Sequence, residues 1–346
     1  MKRLLAGLAA ASLLVAGCSS KDDGSDKKTP TTGKASGTTM PVAVAADVFP
    51  LTGMLVGDAA TRNRPALVVK IDNNSDKSYP QYGIGAADIV VVEGVEGGIT
   101  RLAVIFHSKD SATVGPVRSA RSSDLHIAQP LGEALFAYSG TNGNFQELIE
   151  ASPLIDLSPK KLPGAYHRDP SRPAVYNLFS GTPQLFKAAR AGATGPKPLL
   201  RFAAQTTAAT GVPVTKLDMH WKMPDRPTRT DATWTWAGPT PSRVQNGKAT
   251  TDATGEAIAP RNIVLLFVEY PDTGERDQSK SIVPEAKLEG VGEAWVIRDG
   301  MLTRGTWTKP GNDSPIAIAD GEGKAIELLP GQTWIELPEP GNATVG

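Results

Sequence analysis

The sequence predicts an α+β protein: a mixed α/β N-terminal domain followed by a mainly antiparallel β C-terminal domain. Three observations carry that expectation. The first half sets short β-rich runs between turn residues and adds a few helix starts, whereas the second half is β-rich almost throughout. All six tryptophans, Trp221, Trp234, Trp236, Trp295, Trp307 and Trp334, lie beyond residue 220. The breaker-rich strings "ATGPKP" and "KMPDRPTRTD" fall between the halves. The expected layout is an N-terminal domain over 46–200, a linker over 201–230 and a C-terminal domain over 231–340.

Before those domains, Lys2 and Arg3 precede the apolar run from Leu4 to Gly17. That run is too short to cross a hydrocarbon core of ~30 Å and reads as a secretory signal peptide over 1–17. Val15, Ala16 and Gly17 before Cys18 form a bacterial lipobox, which makes Cys18 the lipid-bearing, palmitate-carrying first residue of the processed chain. Cys18 is the sole cysteine, so an intramolecular disulfide and a cysteine-rich metal site are excluded. Residues 18–45 are rich in Ser, Thr, Gly, Lys and Asp, too polar to offset their ordering entropy, and are expected to form a disordered tether. Flexible-coil scaling would let it hold the folded part roughly 30 Å from the membrane.

Within the first domain, "ALVVKI" (66–71), "DIVVVE" (88–93) and "TRLAVIFH" (100–107) read as strands. The latter two are expected to be a hairpin or neighbours joined by a glycine-containing turn. Helices are expected at "DLHIAQ", capped by Ser122 or Ser123 and stopped by Pro130, and at "FQELIEA" behind Asn144. A third is expected at "TPQLFKAARAG", with Thr182 as N-cap, Pro183 at N1 and Gly192 as the stop. In the second domain, "TWTW", "NIVLLFVEY", "EAWVIRDG", "MLTRGTWTK", "SPIAIADG" and "QTWIEL" read as strands. "VIRDGMLTRGTW" predicts a hairpin closed by Asp299-Gly300, and together these runs predict an antiparallel sheet or small barrel of ~100 residues.

The chain has 36 basic and 36 acidic residues. Loss of Lys2 and Arg3 with the signal leaves 34 against 36, a net charge of −2. So balanced a chain argues against nucleic acid as a partner. No G-x-S-x-G, H-E-x-x-H or phosphate-loop string occurs. "GIGAAD" (83–88) is part of a dinucleotide fingerprint without a preceding strand, and "SPKK" (158–161) lacks the companion motifs of penicillin-binding enzymes. His107, His126, His167 and His220 are too scattered for a local metal motif. No cofactor or metal is expected, no residue is assigned as catalytic, and the reading leans away from an enzyme.

The strings "PLTG" (50–53), "IDNN" (71–74), "GIGAADIVVVEGVEGGITRLAVIF" (83–106) and "GPVRSAR" (115–121) resemble the N-terminal domain of the YerB-like bacterial lipoproteins, the DUF3048 family. "NIVLLFVEY", "RDGMLTRGTW" and "LLPGQTWIEL" are similar to that family's C-terminal domain. The resemblance implies a two-domain lipoprotein and brings no reaction with it. It also marks two departures, Tyr79 where the family tends to an arginine and Tyr176 where it tends to a histidine. A tyrosine with its pKa near ~10 is a poor general base at neutral pH.

The candidate site residues are Arg101, Arg118 and Arg121 with Glu93 and Glu96, joined by Asp72, Asn73, Arg168 and Asn177. Three readings stand. The glutamates pair with Arg118 or Arg121 and only pin the loops; or the arginine forks grip a carboxylate or phosphate; or Glu93 and Glu96 face each other across a groove as acid and base of a glycan hydrolase. The expectation is a non-enzymatic lipoprotein, anchored through Cys18 at the extracytoplasmic face of the cell membrane, that binds an anionic cell-envelope component. The partners expected are the membrane and a cell-wall polymer or cell-wall synthesis protein. Alternatives are a cell-wall or glycan hydrolase using Glu93 and Glu96, and a scaffold that regulates a cell-wall synthesis enzyme and docks through the tryptophan-rich domain.

Overall fold

The computed structural model describes residues 48–346 apart from 75, 142–143, 223–228 and 278–279. The expected signal peptide, Cys18 and nearly all of the expected tether lie outside the described residues, as does part of the expected linker. The first half contributes β1 (Leu67–Asp72), β2 (Ile89–Gly94), β3 (Thr100–Phe106), β4 (Leu135–Ala137) and β5 (Ile155–Asp156), with β6 (His167–Arg168) and β7 (Leu178–Phe179) as a separate pair. Its helices are short: α1 (Ala59–Asn63), α2 (Ser123–Ala128), α3 (Phe145–Ala151) and α4 (Thr182–Phe186). Among the described residues the second half contributes strands and no helix: β8 (Val212–Pro213), β9 (Lys216–Lys222), β10 (Arg229–Thr235), β11 (Ser242–Gln245), β12 (Lys248–Ala249), β13 (Asn262–Leu266), β14 (Asp272–Arg276), β15 (Ile282–Pro284), β16 (Gly290–Arg298), β17 (Met301–Lys309), β18 (Ala317–Ala319), β19 (Thr333–Glu336) and β20 (Ala343–Val345). This is the α+β class read from the sequence.

One 11-stranded sheet in the order β18-β17-β16-β13-β19-β2-β3-β1-β4-β5, with β8 beside β17, draws on both halves. The join is β19, parallel to β13 on one side and to β2 on the other. The two halves are thus continuous in backbone hydrogen bonding, and the described residues from 48 to 346 fall within one compact unit. The second half is antiparallel apart from these β19 pairings. Strands β1, β2 and β3 are buried along their whole length, which explains their near-continuous Val, Ile and Leu.

A second, five-stranded antiparallel sheet, β12-β11-β10-β9-β20, packs on the first. Its strands alternate: Leu217, Met219 and Trp221 of β9 and Ala232 and Trp234 of β10 point inward. Trp234 meets Trp334 of β19 edge-to-face at 5.2 Å, and the Trp221 indole donates to the Leu337 carbonyl at 2.8 Å. Five tryptophans are core residues and Trp236 is half-buried. Trp221, Trp234 and Trp334 fill the space between the sheets, and with Trp295 and Trp307 also buried the tryptophans offer no exposed docking face.

Local expectations mostly hold, with corrections at helix ends. β2 and β3 form the expected hairpin, and β16 and β17 pair from Arg298 opposite Met301. Asp299 and Gly300 both have positive φ, 46° and 79°, as a tight primed turn requires. The N-cap of α4 is Gly181, so Thr182 is its first helical residue, and the helix stops at Phe186 well before Gly192. The Thr182 hydroxyl is drawn elsewhere, accepting from the Ser111 N–H at 2.9 Å. Ser122 occupies the N-cap position of α2 without a side-chain cap bond; Asp124 accepts from the Arg121 N–H at 2.7 Å, and Ser123 Oγ accepts from the Ala286 N–H at 2.9 Å. Pro130 lies within the 3₁₀ turn that continues α2. Asn144 occupies the N-cap position of α3 without a side-chain cap bond.

Candidate functional site

The site grows from three adjacent strands. The ladder sets Asp72 of β1 and Glu93 of β2 directly opposite Arg101 of β3, and Lys70 opposite Ala103. Side chains two apart share a face of a strand, so Lys70, Asp72, Glu93 and Arg101 all project to one side. Ala103 is small enough for the Lys70 side chain to reach over β3. Its Nζ bonds Glu93 Oε1 on β2 and lies 2.8 Å from Asp124 Oδ1 on α2, with all three side chains sealed from solvent. Glu96 sits in the turn from β2 to β3, where Gly97 and Gly98, at φ 72° and 73°, take a bend that a side-chain-bearing residue adopts only with strain.

The loop after β3 supplies the other arginines. Arg118 Nε donates to Asp72 Oδ2 at 2.6 Å, while Ser78 occupies Asp72 Oδ1. Arg121 Nε bonds Glu96 Oε1, and Arg101 lies 3.8 Å from the other oxygen of Glu96. Carbonyls of Ser119 and Ala120 hold Arg101 and Arg121 at 3.1 and 2.7 Å. Burial, then the neighbouring Arg121, pulls the Arg101 guanidinium down to about 10. Burial, then Asp124, pushes the Glu93 carboxyl up to about 7, with Lys70 opposing the rise.

These residues back an open cleft of about 820 Å³. Arg101 and Arg121 form its floor, each about 6% exposed or less, and Arg118 rises between them at 22% side-chain exposure. Arg168 and Asn177, joined at 2.7 Å, line a wall, and Arg276 of β14 lines the opposite rim while paired with Asp272. The Arg118 guanidinium stands over the Tyr176 ring at 5.4 Å, so Tyr176 steadies an arginine. Among the described residues, the two terminal nitrogens of Arg118, Nη2 of Arg121 and the buried Nε of Arg101 have no hydrogen-bond partner. The cleft is positively lined with donor capacity unspent.

The structure therefore brings Arg101, Arg118, Arg121, Arg168 and Asn177 to one cleft and sets Asp72, Glu93 and Glu96 behind it as counter-charges. Asn73 is elsewhere. Its buried amide joins Thr100 at 3.0 Å and Gln245 at 2.9 Å and accepts from Tyr79 and Gln81 at 2.9 Å, knitting β1 to the second sheet. That network also gives Tyr79 its place. Sequence reasoning missed Lys70 and Arg276. A lone lysine inside the apolar run "ALVVKI" was a usable signal, since a buried ammonium must find a carboxylate; nothing near Arg276 pointed to the cleft. The "GIGAAD" loop is not a phosphate cradle, because Asp252 accepts from the Gly83 and Gly85 amides at 3.1 and 2.7 Å. "SPKK" is a surface turn in which Lys161 pairs with Glu150 at 3.5 Å. The described residues hold no group of three or more metal-ligating side chains.

Fold and cleft together define an α+β protein whose two halves share one sheet and whose first half carries an arginine-lined cleft. The chain belongs to the DUF3048 family: residues 51–194 match the model of the "Protein of unknown function (DUF3048) N-terminal domain" and residues 219–335 that of the C-terminal domain. It is 27% identical over 298 residues to the Bacillus subtilis (strain 168) protein named "Putative lipoprotein YerB", covering 83% of this chain and 85% of that protein. The crystal structure of YerB from Bacillus subtilis matches with a TM-score of 0.72 at 24% identity, covering 86% of this chain and 99% of that one, which establishes the common fold.

Proposed function

We propose that this protein is a lipoprotein, anchored at the extracytoplasmic face of the membrane through lipid on Cys18, whose cleft binds an anionic cell-envelope component without transforming it. The observation that carries the reading is the convergence of Arg101, Arg118 and Arg121 on one open cleft with guanidinium donors left over after their carboxylate partners are counted. An ion pair that only pinned loops would spend those donors. Each charge-assisted hydrogen bond contributes about 1.5–3 kcal/mol. The lipobox before Cys18 and the printed name of the YerB relative support the anchor.

The hydrolase alternative finds less support. Glu93 is sealed with Lys70, and Glu96 is held by Arg121, so neither faces open space as an acid or base needs. The test is equilibrium binding of purified anionic wall fragments to the whole protein at low and physiological salt. Arg118→Ala and Arg121→Ala are each expected to weaken binding about tenfold or more, and salt to weaken it further. Unchanged affinity in folded variants overturns the reading.

A further inference from the structure

We propose that the cleft takes a tetrahedral oxyanion of the phosphate or sulfate type, and that binding draws a proton onto the buried Glu93 carboxyl behind the arginine floor. The inference rests on the anion-binding reading and adds the ligand's chemistry and a proton to it.

The oxyanion class follows from donor geometry. Arg101 comes from β3, and Arg118 and Arg121 from the loop that crosses its end, so guanidinium groups approach the cleft from several directions. Arg118 offers two open nitrogens and Arg121 one. A planar carboxylate has two oxygens to share among them, whereas a tetrahedral anion presents three or four.

The proton follows from the charges behind the floor. Lys70, Arg101, Arg118 and Arg121 are met there by Asp72, Glu93, Glu96 and Asp124, cation for carboxylate. An incoming anion leaves this buried cluster with surplus negative charge, which a low-dielectric surround penalises heavily. Glu93 and Asp124 share the single Lys70 ammonium, 2.8 Å from Asp124 Oδ1 and bonded to Glu93 Oε1, and Glu93 Oε2 is left without a hydrogen-bond partner, so Glu93 has room for a proton. Arg101 links the two events, because it lines the cleft and also stands opposite Glu93 in the ladder. An anion on Arg101 weakens that residue's hold on the Glu93 charge.

The groups facing Glu93 are few. Lys70 comes from β1, Arg101 from β3 and Asp124 from α2. Tyr270, beyond β13, has its hydroxyl fixed between the Gly94 N–H at 2.9 Å and the Leu337 carbonyl at 2.7 Å, with Glu339 farther off. Glu336 of β19 faces the other side of the sheet, paired with Arg243. Burial already holds Glu93 near 7, so a modest push suffices at neutral pH.

The experiment is titration calorimetry of the whole protein with sodium sulfate, which stays a dianion from about pH 5 to 9, in two amine buffers of different ionisation enthalpy. Expected is uptake of up to about half a proton per sulfate at pH 7, where Glu93 already holds the other half, with affinity falling with pH above it by less than about tenfold per unit. In Glu93→Gln, uptake should vanish and affinity should become flat with pH. Sulfate binding without proton uptake in the wild type overturns the proposal and leaves the anion-binding reading standing; that measurement decides even where Glu93→Gln does not fold. Undiminished uptake in a folded Glu93→Gln overturns the assignment to Glu93, and acetate binding as tightly as sulfate overturns the oxyanion class. No sulfate binding at any pH overturns both readings.

Discussion

Two buried ionic groups sit on the same sheet and have opposite character. On β19, Glu336 accepts from the Trp234 indole at 2.9 Å and from Arg243 Nε at 3.0 Å, and Arg243 spends further donors on Gln245 and Thr250. The Arg243 and Glu336 side chains are fully sealed, and the pair clamps the second sheet to the first. Around β1, β2 and β3, by contrast, Lys70, Glu93 and Asp124 are sealed with Glu93 Oε2 unbonded, and in front of them the terminal nitrogens of Arg118 and Nη2 of Arg121 are left without partners at an open cleft. The difference teaches that a buried ion pair by itself says little about function. Unspent bonding capacity that reaches solvent separates a ligand site from a structural rivet.

The sharpest way to break that comparison is Glu336→Ala, which strands a buried guanidinium and should cost about 3–5 kcal/mol by urea denaturation. Sulfate affinity in the folded fraction should stay as in the wild type; a loss there would mean that the two clusters are one. Lys70→Met comes next, leaving two sealed carboxyls without their cation. Its destabilisation should be about 3 kcal/mol near pH 8 and should shrink as pH falls below about 7, where Glu93 protonates. A cost independent of pH would show that Lys70 acts by packing alone.

Glu93→Gln should change the slope of stability with pH. Burial raises the folded Glu93 above its ordinary 4.5 to about 7, so between those values the native state holds more protons than the unfolded chain. The penalty for burying this charge is absent at low pH, grows as pH rises toward 7 and is constant beyond. Removing the carboxyl should therefore flatten the stability curve between about pH 4.5 and 7, measured by denaturation at fixed temperature. The smallest effect belongs to Arg168→Ala at the exposed wall: stability within about 0.5 kcal/mol and sulfate affinity reduced only a few-fold. A loss as large as that of Arg118→Ala would move the binding centre outward.

Much of this protein was legible along the chain. Alternation and apolar runs located β1, β2 and β3, and Asp299-Gly300 closed its hairpin as dipeptide chemistry requires. Arg118 and Arg121 were visible as residues that no helix or strand pattern used up. Less legible were the helix caps, where hydroxyls of Ser123 and Thr182 bond groups far away in sequence, Ala286 and Ser111. The cleft itself joins Arg101 and Arg121 to Arg276, and no local pattern encodes a meeting across that separation.

The sequence by itself determined the α+β class, the strand-dense second half, the balanced charge and the arginines at 101, 118 and 121, because these depend on composition and on periodicities of two to four residues. Only the tertiary structure decided that β19 runs between β13 and β2 and merges both halves into one sheet. It also decided that Asn73 is spent on the second sheet while Lys70 shares itself between Glu93 and Asp124. Those outcomes hang on register between distant strands, where a shift of one residue turns every side chain to the opposite face.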